Sequence, residues 1–193
     1  MTLAAPPLRF TPEDLLRMPD SSTLELVDGK LVEKNVSFES SRIEAIILLV
    51  IQMFLQKHKV AEALPASLGY QCFPQDPSKV RRPDVTVIRL ERLAALPDPN
   101  PGFMPIIPDL AVEVVSTNDT VYEVAEKVRE YLTAGFPLVW VVDPKTRSVT
   151  VHPQGGRPNI LTADDDITAA NALPGFRCKV ADFFPAAAAA PST

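Results

Sequence analysis

The sequence lacks most of the features that mark a secreted, membrane-spanning or nucleotide-binding protein. Its 193 residues contain two cysteines, Cys72 and Cys178. Two are too few for a disulfide framework, and they stand in no CxxC or Cys/His spacing that would cage zinc. A reducing, cytoplasmic setting suits them. Seven glycines are present, and none belongs to a GxxxxGK[ST] phosphate-cradling loop. The two histidines, His58 and His152, have no nearby partner for a triad or a zinc site. No apolar run is long enough for a bilayer: Ile43–Leu55 holds about 13 residues where roughly 20 are needed, and Glu44 and Gln52 interrupt it. The opening residues, MTLAAPPLRF, show neither a basic start nor an apolar run, so no signal peptide is expected. Positive charge is also short, with a net charge of −5. Nucleic-acid binders usually present a basic surface. Charge alone therefore favours a solvated cluster at Lys79, Arg81 and Arg82 over a local positive groove beside Asp84, without excluding the groove.

What is present describes one α/β domain over residues 1–193, with flexible tails at about 1–9 and 186–193. Hydrophobic residues make up 46% and charged residues 22%, ordinary values for a globular protein. Thr11-Pro12-Glu13-Asp14 starts a short helix that Pro19 closes. LELV-DG-KLVE, Leu24–Glu33, predicts a hairpin turning at Asp28-Gly29. Ser37 caps a long helix to about Lys57, whose Ile43, Ile46, Ile47, Val50, Ile51, Phe54 and Leu55 form a core-facing stripe. Leu68–Phe73 and Pro83–Ile88 read as strands. The proline-rich stretch Leu93–Pro108 reads as a loop. Leu110–Val115 is a buried strand, followed by a helix from about Val121 to Ala134 that Gly135 and Pro137 stop. Leu138–Asp143 and Ser148–His152 make a strand pair, and Leu173–Phe176 with Val180–Phe184 finish the fold. Strands alternating with helices predict a mixed β-sheet flanked by helices.

Certain polar residues sit where such a fold would not spend them on solubility. Glu113 lies in LAVEVV, a strand apolar on both faces, where an ionised carboxylate costs several kcal/mol unless it is paired or metal-bound. It reads equally as a metal ligand or as an acid satisfied by an arginine. Asp84 begins PDVTVI after a proline that has no N–H to offer, and a lone Pro-Asp is common at strand starts. Two carboxylates on neighbouring strands would suit a hard cation such as magnesium. Glu25, on the first hairpin arm, reads by itself as an exposed edge residue. Taking Val121, Val124, Val128 and Leu132 as the buried stripe of the second long helix, Lys127 lies on its flank beside Tyr131. From there it can pass its stem over the core toward a site, or pair with Glu123 or Glu130.

Taken in order, Glu25-Leu26-Val27-Asp28-Gly29, Arg82-Pro83-Asp84-Val85, Glu113-Val114-Val115-Ser116, Lys127 with Tyr131, and Ala134-Gly135 before LVWVVDP resemble the Uma-type restriction-endonuclease family of the PD-(D/E)XK nuclease superfamily. The resemblance runs from Phe10 to about Phe184. It implies a restriction-endonuclease-like core and metal-dependent hydrolysis of phosphodiester bonds in DNA. Asp84, Glu113 and Lys127 would be the catalytic residues. Asp84 and Glu113, with Glu25 as auxiliary ligand, would hold Mg2+ or Mn2+. Val115 takes the place where the wider superfamily has its lysine, and Lys127 matches the lysine moved to the following helix. Tyr131, Ser116 and Ser40 are expected in support, Lys79, Arg81 and Arg82 at the DNA, and a homodimer is compatible with cutting both strands. Many members carry a histidine near the start of the long helix, where this chain has Ser37-Phe38-Glu39-Ser40-Ser41. That departure and the acidic net charge keep a second reading open, a catalytically silent binding or scaffold protein that retains the fold.

Overall fold

The structure, a computed structural model, describes residues 9–98, 102–169 and 171–185. The two expected flexible tails therefore lie outside the described residues, apart from Arg9, as does the middle of the proline-rich stretch. In chain order the elements are α1 (Pro12–Arg17), β1 (Leu24–Val27), β2 (Lys30–Glu33), α2 (Phe38–Lys57), β3 (Ala61–Pro65), β4 (Val85–Arg89) and α3 (Leu90–Leu93). Then follow β5 (Leu110–Val114), α4 (Val121–Ala134), β6 (Leu138–Asp143), β7 (Ser148–Pro153), β8 (Asn159–Leu161), β9 (Asp166–Thr168) and β10 (Arg177–Lys179).

A six-stranded mixed sheet, ordered β3-β4-β5-β6-β7-β8, forms the centre. Within it β5 and β6 run parallel and the other neighbours antiparallel. A parallel pair needs a crossover, and α4 supplies it. The two faces are covered separately. Ile43, Ile47, Ile51 and Leu55 of α2 pack with Val85, Val112, Val114 and Trp140 on one face. Val128, Tyr131 and Ala134 of α4 pack with Ile88, Ala111 and Val139 on the other. This is the expected mixed sheet flanked by helices.

Local chemistry explains the element ends. Thr11, Ser37 and Thr120 each cap a helix through a reciprocal capping box. Asp28 and Gly29, both at positive φ, turn the hairpin, where the register pairs Val27 with Lys30. Gly135, at φ 105°, ends α4.

Two expectations need correction. Leu68–Phe73 is no strand; Tyr70 makes single bridges to Arg81 and Met104. The ladder stops there because Arg82 turns its N–H to the Glu25 carboxylate and Pro83 has none to give. The buried stripe of α4 is also rotated: Val121 is 85% exposed, and the inward line runs through Lys127, Val128, Tyr131 and Ala134. Tyr131 draws the helix round, because its ring stacks on Phe136 with centroids 4.7 Å apart.

Candidate active site

The site is built where β4 and β5 run side by side. Val85 pairs with Val112 and Thr86 with Ala111, so Asp84, just before β4, and Glu113 of β5 lie at the same end of this ladder. Asp84 is fixed at both ends: its N–H donates to Val112 O (2.9 Å), and its Oδ2 accepts the N–H of Val114 (2.6 Å). Glu113 meets two side chains one helical turn apart on α4. Tyr131 OH donates to Oε1 at 2.6 Å and Lys127 Nζ to Oε2 at 3.1 Å. Asp84, Glu113 and Lys127 therefore converge, although they lie 29 and 14 residues apart along the chain.

A residue that the sequence did not point to completes the group. Lys34, just beyond β2, donates from Nζ to Asp84 Oδ1 (2.7 Å) and to Arg82 O (2.6 Å). Its side chain is only 7% exposed. Glu44 on α2 also borders the Asp84 side, in a small pocket shared with Lys34, Ser40 and Asp84. The one trace of Glu44 in the sequence is a charge interrupting an apolar helical run. Lys34 has no such signal, because a lysine following a hairpin arm looks like any solvated residue.

Glu25 is 1% exposed, which corrects the edge-residue reading: the arm turns it inward. Its Oε2 accepts from Arg81 Nη1 (2.7 Å) and its Oε1 from the Arg82 N–H (2.8 Å). Both oxygens are held by these donors, and Glu25 anchors Arg81. Nor are Lys79, Arg81 and Arg82 the solvated cluster that charge alone favoured. Arg81 and Arg82 are 5% and 4% exposed. Lys79 and Arg81 both bind Glu130, at 2.7 and 2.8 Å. Arg82 donates to Leu24 O and Ser67 O and lies over the Phe103 ring. Three cations so close together stay folded only because buried acids and carbonyls neutralise them.

The supporting serines take different places. Ser40 belongs to the capping box of α2, bonded to Ser37. Ser116 donates its N–H to Asp119 Oδ2 (2.7 Å), and its buried Oγ has no hydrogen-bond partner among the described residues.

These contacts set the protonation. Burial pushes the Glu113 carboxyl up, the Lys127 ammonium pulls it back, and the neighbouring Asp84 charge raises it further. Burial would lower Lys127, but Glu113, Glu25 and Asp84 outweigh it and hold the ammonium well above its usual range. Lys34 is raised against burial in the same way, chiefly by Asp84. Burial opposes ionisation of Glu25, yet Lys127 and Arg81 bring its carboxyl below the ordinary value. Burial and the Glu113 charge keep the Tyr131 hydroxyl a donor far into alkaline solution.

Among the described residues, no group of three or more His, Cys, Asp and Glu side chains could hold a metal ion. Asp84 and Glu113 make a two-carboxylate oxygen set, the number magnesium commonly takes from a protein while water and phosphate complete its octahedron. The Lys34 ammonium against Asp84 Oδ1 is an internal cation at this very position, so the donor set suits a hard cation. The site opens onto a cleft of about 200 Å³ lined by Glu25, Lys34, Asn35, Arg81, Asp119 and Lys127 among others. A larger groove of about 640 Å³, lined mainly by carbon, runs along α4 past Val121, Val124 and Leu132 and brings together none of these three acids. Among the described residues no helix is long and apolar enough to cross a membrane.

No curated protein matches the chain. A solved structure titled as a "putative nuclease belonging to DUF820 from Anabaena variabilis ATCC 29413" is similar in fold, with a TM-score of 0.77 and 20% identity, over 91% of this chain and 97% of that one. The sequence profile of the Uma2 family, described as "Putative restriction endonuclease", matches residues 12–181. Spanning nearly the whole described chain, that match makes the protein a member of the Uma2 family.

Proposed function

We propose that the chain is a metal-dependent nuclease that hydrolyses phosphodiester bonds in DNA. The observation that carries this reading is the meeting of Asp84 and Glu113, close enough to feel each other's charge, with the Lys127 ammonium at 3.1 Å from Glu113 Oε2. Membership of the Uma2 family supports it.

Asp84 and Glu113 would hold Mg2+ or Mn2+. When bound, the ion would polarise the scissile phosphate and acidify a coordinated water. Hydrolysis would join a water oxygen to phosphorus, break the phosphorus–oxygen ester bond and leave one proton of that water on the departing oxygen and the other on the new phosphate or in solvent. Lys127, kept protonated by its acidic neighbours, cannot serve as base; it offsets the negative charge that grows on the phosphate oxygens. Tyr131 holds Glu113 in position by its 2.6 Å hydrogen bond. Glu25 and Arg81 act at one remove, fixing the hairpin against the Arg82-Pro83-Asp84 segment.

One observation favours the second reading, a catalytically silent binding protein: each carboxylate oxygen of Glu25, Asp84 and Glu113 already has a donor within the protein. Plasmid nicking separates the two. Supercoiled DNA with magnesium or manganese should be nicked by the natural protein, and Glu113→Gln should lose roughly a hundredfold or more of that rate. Undiminished nicking by the variant rejects the assignment, and no nicking by the natural protein with either ion favours the silent reading. Single-stranded RNA offered in parallel reports the choice of nucleic acid.

A further inference from the structure

Lys34 occupies a position that no part of the proposed reaction uses. Its ammonium sits 2.7 Å from Asp84 Oδ1 and 2.6 Å from Arg82 O, and its side chain is almost fully buried. The second Asp84 oxygen is committed to the Val114 N–H at 2.6 Å. With Oδ2 already accepting the Val114 N–H, Oδ1, the atom that Lys34 holds, is the less encumbered approach for a cation shared by Asp84 and Glu113. An ammonium and a divalent ion against one carboxylate oxygen repel each other strongly inside a partly buried site, so each weakens the other's hold.

We propose that Lys34 is a built-in counter-cation, so that divalent-ion binding and release of Lys34 from Asp84 are a single exchange. This rests on the metal-dependent reading above. Position favours the exchange. Lys34 follows the last residue of β2, on a short segment leading to Ser37, the cap of α2. Its backbone is tied there by one hydrogen bond to Thr23 O (2.9 Å) and its neighbour Asn35 by a bond to Asp119 Oδ1 (3.0 Å). A four-carbon stem on that segment can swing toward the neighbouring cleft, which Lys34 also lines, without moving the sheet. Without an ion, Lys34 spares Asp84 from facing Glu113 uncompensated. With one, it stands at the cleft wall, where substrate phosphate would meet a positive charge. Lys34 is thus a positioning residue that sets how tightly the site takes its metal.

The test is calorimetric titration of MnCl2 into the full chain, natural and Lys34→Met, with thermal midpoints recorded with and without the ion. Removing a charge-assisted hydrogen bond that competes with the ion should tighten manganese binding by about ten- to a hundredfold. The ion-free variant should melt below the natural protein, and manganese should raise its midpoint by more. Lys34→Arg keeps the charge and should bind no tighter than the natural chain. Should Lys34→Met not fold, Lys34→Gln, neutral and still able to donate, gives the same comparison. Manganese affinity equal to or weaker than that of the natural chain in the neutral variants overturns the exchange, and leaves the metal site standing if Glu113→Gln still weakens binding. Absence of binding by both natural and neutral chains at millimolar manganese overturns the exchange together with the metal-dependent reading.

Discussion

Replacing Arg81 by methionine tests whether the arginines beside Asp84 hold the structure or serve the nucleic acid. The guanidinium makes three contacts, Nη1 to Glu25 Oε2 at 2.7 Å and Nε and Nη2 to Glu130 Oε2 at 2.8 Å each. Methionine keeps most of the stem and removes all three. Glu25, 1% exposed, is then left with the Arg82 N–H and the nearby Lys127 ammonium. Breaking one side of a buried pair costs about 3–5 kcal/mol, and because Lys127 compensates in part the lower end applies, about 3 kcal/mol. For a chain of this length that is a fall in Tm of about 6–12 °C. Urea unfolding at pH 7 reads the first quantity and scanning calorimetry the second. The pH dependence supplies an internal check. In the natural protein the folded Glu25 carboxyl titrates below its ordinary 4.5, so its stabilisation is present above that value and is lost as pH falls through the folded pKa. In the variant that depression is relieved, so the deficit should be largest near pH 7 and shrink toward pH 4. A surface arginine contacting DNA behaves otherwise: its loss costs within about 0.5 kcal/mol and flattens the salt dependence of binding. A loss below about 1 kcal/mol at pH 7 with no pH trend would refute the structural assignment.

Tyr131→Phe removes the donor to Glu113 Oε1, and leaving that buried oxygen bare should cost about 1–3 kcal/mol in urea unfolding. A change lost in the error of the measurement would mean that the hydroxyl does not hold the carboxylate. The cysteines give a chemical readout. Burial pushes both thiols up to about 12, with nearby Asp182 and Asp166 adding to the effect at Cys178. An aromatic disulfide reagent at pH 8 should therefore react slowly with the folded protein and fully after denaturation, and a rapid stoichiometric reaction in the folded state would contradict the packing.

The sequence was most readable where one local rule decides the structure. Asp28-Gly29 turned the hairpin, Ser37 opened α2, Gly135 closed α4, and the apolar runs of β5 and β6 became central strands. It was least readable where partners come from far along the chain. Periodicity alone put the stripe of α4 on Val121 and Leu132, yet the stacking of Tyr131 on Phe136 and its bond to Glu113 turn the helix so that Lys127 joins the inward face. Arg81 and Arg82 look like surface charge until the hairpin supplies Glu25 and α4 supplies Glu130. Lys34 was invisible for the same reason, since its two acceptors lie 48 and 50 residues away. β3 alternates over Ala61-Glu62-Ala63, but alanines at its buried positions give too faint an apolar signal, and pairing with β4 fixes it as a strand.

The joining of β5 to β6 through α4 sets when during synthesis the site can exist. Glu25 and Lys34 leave the ribosome early, but Lys127 and Tyr131 reach Glu113 only after the crossover helix has been made and has docked. A truncated nascent product ending before residue 121 carries all three acids and neither α4 donor. Its Glu113 would lack both the Tyr131 hydroxyl and the Lys127 ammonium that hold it in the finished fold. Partial translation products are thereby kept from assembling this arrangement.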